Sequence, residues 1–479
     1  MQSIDQRINN FIGPLADWLN SIVLYEIQIA DVRFPWIVAW LLLAALFFTV
    51  YFGFINVTGL KHSIQILRGD SKKSKGKGEI THFQALATAL SGTVGIGNIG
   101  GVAIVISIGG PGAMFWLVVA GFLSMSTKFI ECILGVKYRR NNLDGSVSGG
   151  PMFYLENGLR EKGMNWLAKP LGVFYAIAMV VGCLGIGNMF QSNQAFEQFS
   201  FLVGAESFLG SNGWLFGLIL AFFVGLVVLG GIRSIAKVTG RLVPFMAVSY
   251  VVVGLLIIGL NYQKVPWAVE AVFTNAFSPD AMTGGVVAVI VLGFKRALFS
   301  NEAGIGSAAI AHSAVKTDEP VTEGYMGLLE PFIDTIVICS ITAMVILTTV
   351  YDPSVEYVDI QGVQLTAQAF EGTIRGSVVP LSIIAILFAF STIISWSYYG
   401  LKGWTYLFGE HLRTKKLFLL IFCIFVAIGC SIQLEAVLDF SDAMVYLVAL
   451  PNIIGLYILA PIVKKELKGY RERLKANKD

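Results

Sequence analysis

Charge is what this sequence has least of: Asp, Glu, Lys and Arg together make up 14% of its 479 residues. Ordinary soluble proteins carry about 25%. A chain of this length would usually divide into about three soluble domains. So few charges cannot cover several globular surfaces, and most side chains must face lipid or one another. The same arithmetic excludes disordered, collagen-like, coiled-coil and secreted disulfide-scaffold chains. Histidine and cysteine are scarce as well. His62, His82, His312 and His411 show no zinc-ligand spacing. Cys132, Cys183, Cys339, Cys423 and Cys430 sit in apolar runs without a CxxC pair, as small buried hydrophobes do. No phosphate loop (GxxxxGK followed by Ser or Thr) occurs, which removes ATP-driven transport. A net charge of +3 is too balanced to point to nucleic acid as a partner.

What is present is apolar: 55% hydrophobic residues and a mean hydropathy of +0.72. Runs without a formal charge cover 34–60, 80–127, 170–196, 207–232, 242–263, 376–401, 417–434 and 443–463. Most exceed the roughly 20 apolar residues that carry a helix across a bilayer. The run 80–127 is broken at Gly109-Gly110-Pro111-Gly112 and reads as two helices joined by a turn. Two further spans carry interior charges: 283–312 with Lys295, Arg296 and Glu302, and 326–350 with Glu330 and Asp334. The expectation is an all-α polytopic membrane protein with 11 transmembrane helices.

Basic residues test that count. Twenty-seven of the 34 fall in the loops 59–80, 137–169, 231–241, 312–325 and 402–416 and in the tail after 463. The alternate connections hold only Arg7, Arg33, Lys264 and Arg375. The positive-inside rule then puts the N-terminus outside the cell membrane and the C-terminus in the cytoplasm. Residues 1–30 carry Asp5, Asp17 and Glu26 without a compact apolar core, so no cleavable signal peptide is expected. The stretch Phe11–Leu24 reads as an interfacial amphipathic helix.

Two spans are rich in helix-breaking residues. One contains Ser91-Gly92-Thr93-Val94-Gly95-Ile96-Gly97-Asn98-Ile99-Gly100-Gly101, the other Ser300-Asn301-Glu302-Ala303-Gly304-Ile305-Gly306-Ser307. They open the second and seventh expected spans, which predicts two inverted five-helix repeats after one extra helix. Residues 1–33 are then an extracytoplasmic segment, 34–60 the extra helix, 80–263 and 283–463 the repeats, and 464–479 a cytoplasmic basic tail. Paired interrupted helices at corresponding positions are the best sequence pointer to a secondary transporter's binding site. Freed amides and carbonyls cost several kcal/mol each if unsatisfied in lipid, so they must face protein, a cavity or a ligand. Carbonyls suit a cation, and half-helix N-termini suit a carboxylate. Close helix packing is the alternative use of the glycines. Residues 95–100 also match GxGxxG, but an uncharged membrane segment surrounds them and no acid follows before Glu131, which argues against a dinucleotide. A second Gly-Ile-Gly-Asn at 185–188 is either another ligand-facing kink or close packing.

Six stretches carry a family resemblance: ATALSGTVGIGNIGGVA (87–103), GGPGAMFW (109–116), KFIECILGVKYR (128–139), GGPMFYLENGL (149–159), FSNEAGIGSAAIAH (299–312) and STIISWSYYG (391–400). Through them the chain resembles the alanine/glycine–sodium symporter family, over most of residues 80–410. The resemblance implies the leucine-transporter fold, a five-plus-five inverted repeat with one added N-terminal helix. It also implies sodium-coupled uptake of alanine or glycine by alternating access, with sodium as coupling ion and no cofactor. Some members carry Thr where this chain has Ile96, which makes the pocket more apolar and leaves the preferred amino acid open.

In the first broken helix, Thr93, Gly95, Gly97 and Asn98 are the candidates for holding the substrate's carboxylate and amine. Gln191, beside Asn193 and Gln194, resembles the family's substrate-contacting glutamine; interhelical hydrogen bonding is the alternative. By resemblance Trp396 limits pocket size and Thr392 touches substrate or cation, a membrane-belt role being the alternative for the tryptophan. Phe294 and Leu298, one turn apart, either close the pocket around a methyl-sized side chain or pack in the core. The fold implies a sodium site from the carbonyls of Ser91 and Val94 and the hydroxyls of Ser391 and Thr392, hard oxygen ligands for a hard cation. A second sodium site would use Thr93 and Asn98.

Ionisable residues within spans cost roughly 2.5–3.5 kcal/mol at mid-bilayer unless paired or facing a cavity. Lys128 and Glu131, three apart, are expected to pair with each other. Glu302 beside the second break either gates, stabilises freed amides, or is structural. The competing classes are a channel, which needs repeated filter loops, and an intramembrane enzyme, which needs a nucleophile–base pair or metal cluster. Neither pattern is seen, so no enzyme is expected. Symport of another small amino acid, or coupling to protons, remains the alternative, and the protein is expected to function as a monomer.

Overall fold

A computed structural model of the chain describes residues 21, 25–29, 32–73, 76–142, 144–278, 285–352, 362–432 and 434–476. The interfacial helix expected at Phe11–Leu24 lies outside the described residues, Ser21 apart. Just after it, β1 (Glu26–Ile29) and β2 (Val32–Pro35) form an antiparallel hairpin with Glu26 opposite Pro35. Helix α1 (Trp36–Tyr51) follows, without a single charged residue. It ends where Gly53 and Phe54 adopt positive φ (65° and 54°), and the chain bends by 63° into α2 (Ile55–Thr58) and α3 (Leu60–Lys73). The straight part of the first span is therefore shorter than its charge-free run.

Helix α4 (His82–Thr93) opens on a capping box: the Gln84 amide donates to Thr81 Oγ1 (3.2 Å) and the Thr81 amide to Gln84 Oε1 (3.0 Å). After a 3-10 turn at Ile96–Asn98 comes α5 (Gly100–Lys137). It bends at Gly110, whose φ of 65° leaves the helical region just before Pro111, so the expected turn at 109–112 is a kink between two helical arms. A short pairing of β3 (Arg140–Asn141) with β4 (Val147–Ser148) leads into α6 (Pro151–Glu161). Then come α7 (Asn165–Leu184), a π-helical turn at Gly185–Met189, α8 (Phe190–Val203), α9 (Gly213–Val228), α10 (Gly231–Leu260) and α11 (Val265–Ala276).

The second half contains α12 (Gly285–Asn301), the short α13 (Ser307–His312), α14 (Pro320–Pro331), a π segment at Phe332–Cys339 and α15 (Ser340–Thr349). It closes with α16 (Gly362–Glu371), α17 (Val378–Phe408), α18 (Leu412–Gly429) and α19 (Leu434–Ala476). Among the described residues, six helical runs are long and apolar enough to cross a membrane, or seven with the bent pair at Trp36–Gly69. That is fewer than the expected 11. The run Ile96–Lys137 joins two expected spans across Gly110, α9 and α12 have only 16 and 17 residues, and α18 carries Arg413, Lys415 and Lys416 in its first turns.

The molecule is inside-out relative to a soluble protein. Large apolar side chains such as Phe222, Leu226, Phe245 and Val252 are exposed on α9 and α10, as lipid contact requires. Polar Ser91, Asn98, Gln191, Glu302, Ser391 and Thr392 are buried. The basic connections gather on one face. Arg139 donates to the carbonyls of Lys77, Ser313, Val315 and Thr317 at 2.6–2.9 Å. Arg233 reaches Glu79 (3.6 Å), Ser148 donates to Glu410 (2.7 Å), Lys137 pairs with Glu466 (2.7 Å) and Arg473 with Glu319 (2.7 Å). All six basic segments thus touch, while connections of the other set meet elsewhere, as where Asn261 donates to Thr373 (3.1 Å).

Candidate functional site

The site is built from the two helix breaks. Helix α4 unwinds after Thr93: Val94 is extended (φ −73°, ψ 95°), which turns its carbonyl out of the helical ladder, and Gly95 is extended too. Asn98 closes this break from within. Its Oδ1 accepts from the Gly95 amide (2.9 Å), and its Nδ2 donates to Asp334 Oδ1 (2.6 Å) and Ser300 Oγ (3.1 Å). The side chain expected to accept from an ammonium is therefore already engaged, tying the break to α12 and the second π segment.

The second break places Glu302, Gly304 and Gly306 at positive φ (56°, 92° and 82°). For a glutamate this is a strained conformation. Three of the freed groups find side-chain partners. The Gly304 amide donates to Glu131 Oε1 (2.9 Å), the Gly304 carbonyl accepts from Asn452 Nδ2 (2.8 Å), and the Ile305 carbonyl accepts from the Tyr175 hydroxyl (2.9 Å). Asn452 also donates to Glu131 (2.7 Å) and accepts from Tyr154. The expected Lys128–Glu131 pair is accordingly not the contact made. Glu131 serves the broken backbone, and Lys128 Nζ pairs with Glu330 of α14 at 3.1 Å. From Glu330 the chain of buried charge runs to His312 (2.8 Å), then to Glu323, then to His82 at the start of α4. Cys132, His312 and Glu330 lie close enough to hold a metal ion, but Lys128 and Glu323 already serve as charge partners there.

Between the breaks lie the hydroxyl and carbonyl groups predicted to meet. Ser91 Oγ donates to the Ser391 carbonyl (2.6 Å) and Thr392 Oγ1 to the Ser91 carbonyl (2.9 Å). Gly95 faces Thr392 and Gln191 closely: a Cβ there would stand 3.1 Å from Thr392 Oγ1 and 3.4 Å from Gln191 Oε1. Gln191 Oε1 is buried and accepts no hydrogen bond among the described residues. Its neighbours behave differently. Asn193 donates to the Ile432 carbonyl (2.7 Å), a contact that ties α8 to the end of α18, and Gln194 donates to Asn193 within α8 (3.1 Å).

Trp396 is fully buried, which removes a belt role. Its Nε1 donates to Glu302 Oε1 (3.1 Å), whose other oxygen accepts from Ser307 (2.5 Å). The indole lies against the π turn: a Cβ at Gly187 would be 1.9 Å from Trp396 Cγ. The Gly-Ile-Gly-Asn at 185–188 thus forms a π turn in close contact with Trp396. The remaining candidates sit at the margin. Thr93 Oγ1 donates back to the Leu90 carbonyl (3.3 Å), a Cβ at Gly97 would stand 3.7 Å from the Phe299 ring, and Phe294 and Leu298 are buried in the core. No hydrogen bond links Thr93 to Asn98 among the described residues. Sequence reasoning missed Asn452, Tyr175, His82, His312 and Glu323. The signal available was the pair of interior acids, Glu330 and Asp334, four residues apart in one span.

The sodium:alanine symporter family profile matches residues 18–479. The chain belongs to this family. The sodium/alanine symporter AgcS of Methanococcus maripaludis is 37% identical, over 91% of this chain and 94% of its own. The probable sodium/glutamine symporter GlnT of Bacillus subtilis is 32% identical, over 92% and 88%. Among solved structures, MhsT in complex with L-phenylalanine gives a TM-score of 0.56 at 13% identity, covering 81% of this chain and 98% of that one. A Na+-coupled sialic acid symporter gives 0.50 at 12% identity, covering 83% and 82%. At such identities the likeness concerns the fold, which is that of the leucine-transporter class of secondary transporters. The family member is a multi-pass membrane transporter rather than an enzyme.

Proposed function

We propose that this protein carries a small neutral amino acid, alanine or glycine, into the cell together with sodium by alternating access. The observation that carries the proposal is the Gln191 carbonyl oxygen, a buried acceptor without a donor among the described residues, facing Gly95 beside Thr392. A buried unsatisfied acceptor costs about 1–3 kcal/mol. The substrate's ammonium group is the donor that offsets it. Gly95 leaves room beside the backbone, and amides at the break donate to the carboxylate. Trp396, pinned between Gly187 and Glu302, limits the side chain to about a methyl group. Ser91, Val94, Ser391 and Thr392 supply oxygens suited to sodium, with Thr93 and Asn98 forming a second ion site near the substrate carboxylate. Phe294, Leu298 and Gly97 shape the pocket wall.

In this proposal 11 spans cross the membrane: α1, five within 80–263 and five within 283–463. The N-terminus lies outside, and the face of clustered basic loops is cytoplasmic. The transporter works as a monomer. The relatives' names support sodium coupling and differ on substrate, alanine for AgcS and glutamine for GlnT. One observation favours a second reading, coupling to protons: Glu302 is a buried carboxylate that reaches both Ser307 and Trp396. Uptake of labelled alanine and glycine into proteoliposomes separates the two. Uphill accumulation driven by a sodium gradient, and not by potassium or proton gradients, is expected. Accumulation driven by protons without sodium, or flux without accumulation, would overturn the proposal. Asn98→Ala or Trp396→Ala should weaken alanine binding far more than Glu156→Gln, which lies among the basic loops.

A further inference from the structure

Helix α19 does not stop where its apolar part ends; it continues as a helix through a basic segment to Ala476. Two stripes divide that extension. Glu466, Tyr470 and Arg473, spaced four and three residues apart, turn inward to Lys137 (2.7 Å), His62 (2.8 Å) and Glu319 (2.7 Å). Lys464, Lys468, Arg471 and Lys475, also spaced four, three and four apart, face outward. All four are exposed, and none makes an ion pair among the described residues. Lys464 Nζ sits 4.2 Å above the Tyr51 ring at the end of α1. Between the two helices opens a groove of about 860 Å³, lined by these cations and by Val50, Tyr51 and Gly53, with Glu472 as its one acid.

The groove continues into an apolar track. Leu43, Leu46, Phe47 and Val50 recur at three, four and seven residues along α1, and all are more than 40% exposed. Val50 belongs to both track and groove. Unpaired cations meet lipid-facing hydrocarbon at this point, just where an uncharged span gives way to a charged one. We propose that the groove binds an anionic phospholipid, its phosphate held by Lys464, Lys468 and Arg471 and an acyl chain lying along Leu43–Val50. Clusters of four to eight Lys/Arg beside a membrane span attract anionic lipid, and arginine's planar fork suits a phosphate. The apolar track is what a free phosphate would not need.

Native mass spectrometry of the full-length protein in detergent, titrated with dioleoylphosphatidylglycerol or dioleoylphosphatidylcholine, tests this. The variant Lys464→Gln/Lys468→Gln/Arg471→Gln/Lys475→Gln should bind phosphatidylglycerol at least tenfold more weakly. A control that removes four charges elsewhere among the basic loops, Lys162→Gln/Lys169→Gln/Lys237→Gln/Arg413→Gln, should change it less than twofold. Phosphatidylcholine should bind weakly to all three proteins. Equal losses in both variants, or none in the first, would overturn the proposal. So would displacement of phosphatidylglycerol by millimolar inorganic phosphate, or a dimer that the groove variant alone abolishes. If the fourfold variant does not fold, Lys464→Gln/Lys468→Gln replaces it, with a threefold loss as the threshold.

Discussion

Replacing Gln191 with Met moves two quantities in opposite directions. Among the described residues, Gln191 Oε1 accepts no hydrogen bond and Nε2 makes one long bond, to the Ile186 carbonyl (3.5 Å). The uncompensated acceptor costs about 1–3 kcal/mol. Methionine is unbranched and of similar length, so Gln191→Met should leave the unfolding temperature of the empty transporter unchanged or raise it. Substrate binding should suffer instead. A hydrogen bond to a charged group contributes about 1.5–3 kcal/mol, and each 1.4 kcal/mol is tenfold in affinity. Alanine should therefore bind roughly ten- to hundredfold more weakly. Thermal unfolding of detergent-solubilised protein in sodium, scanned against alanine concentration, reads both effects. At 100 times the wild-type Kd a ligand stabilises by about 2.7 kcal/mol, and a Kd thirtyfold higher reduces this to about 0.9 kcal/mol. A variant that is destabilised when empty, yet gains as much from alanine as the wild type, would refute the reasoning and leave Gln191 as interhelical glue.

Four other perturbations follow from the same geometry. Ser391→Ala removes a hydroxyl beside the Ser91–Thr392 contact and should raise the sodium concentration for half-maximal uptake by about tenfold, a charged-group hydrogen bond's worth; an unchanged sodium dependence excludes Ser391 as a ligand. Gly187→Ala drives a Cβ into Trp396 and should lower stability by about 1–3 kcal/mol, with Trp396→Leu restoring part of it in the double variant. Lys128→Met leaves Glu330 buried with His312 as its remaining charge partner and should cost about 3 kcal/mol, whereas Lys128→Met with Glu330→Met should cost less than the two single losses added; additive melting losses would show that the pair is not coupled. Partial burial acts to raise the Glu410 carboxyl, but Lys402 and Lys415 hold it below the ordinary value of 4.5. Such a group stabilises the fold above 4.5 and loses that contribution as pH falls through its lowered value, so the melting deficit of Glu410→Gln should be largest near neutrality and shrink below 4.5.

What could be read from the sequence was what is local or periodic. Glycine clusters at 92–101 and 304–306 mark real breaks because positive φ and close approach are local demands. The basic loops alternate because membrane insertion counts charges segment by segment, and the structure brings those loops to one face. Trp396, Thr392, Ser91 and Ser391 lie together around the first break, and long motifs mark their places in the sequence. Lys128 was misread because a helix offers a partner three residues away, whereas its actual partner lies 202 positions on, in α14. The rest of that charge chain, His82, His312, Glu323 and Glu330, comes from three separate elements, and no spacing rule joins them. The bend after α1 was legible in principle, because Gly53 stands at its corner. The π turns were not, as no residue type marks them; the first lies against Trp396, a partner more than 200 positions away.

The two breaks differ in how their polar groups are satisfied, and that difference separates scaffold from site. At the second break the freed amide and carbonyls meet Glu131, Asn452 and Tyr175, so the backbone there is held by protein from three directions. Glu131 Oε2, unpaired among the described residues, belongs to a carboxylate whose other oxygen already takes two donors. At the first break Asn98 closes only the Gly95 amide, and Gln191 Oε1 faces the same glycine without a donor. A buried network that is complete gains nothing from a ligand, while one lacking a donor does. Substrate binding should accordingly tighten the first break and leave the second as it is. Amide exchange at 94–99 should slow when alanine and sodium are added, and exchange at 302–306 should not; the reverse pattern would place the ligand at the other break.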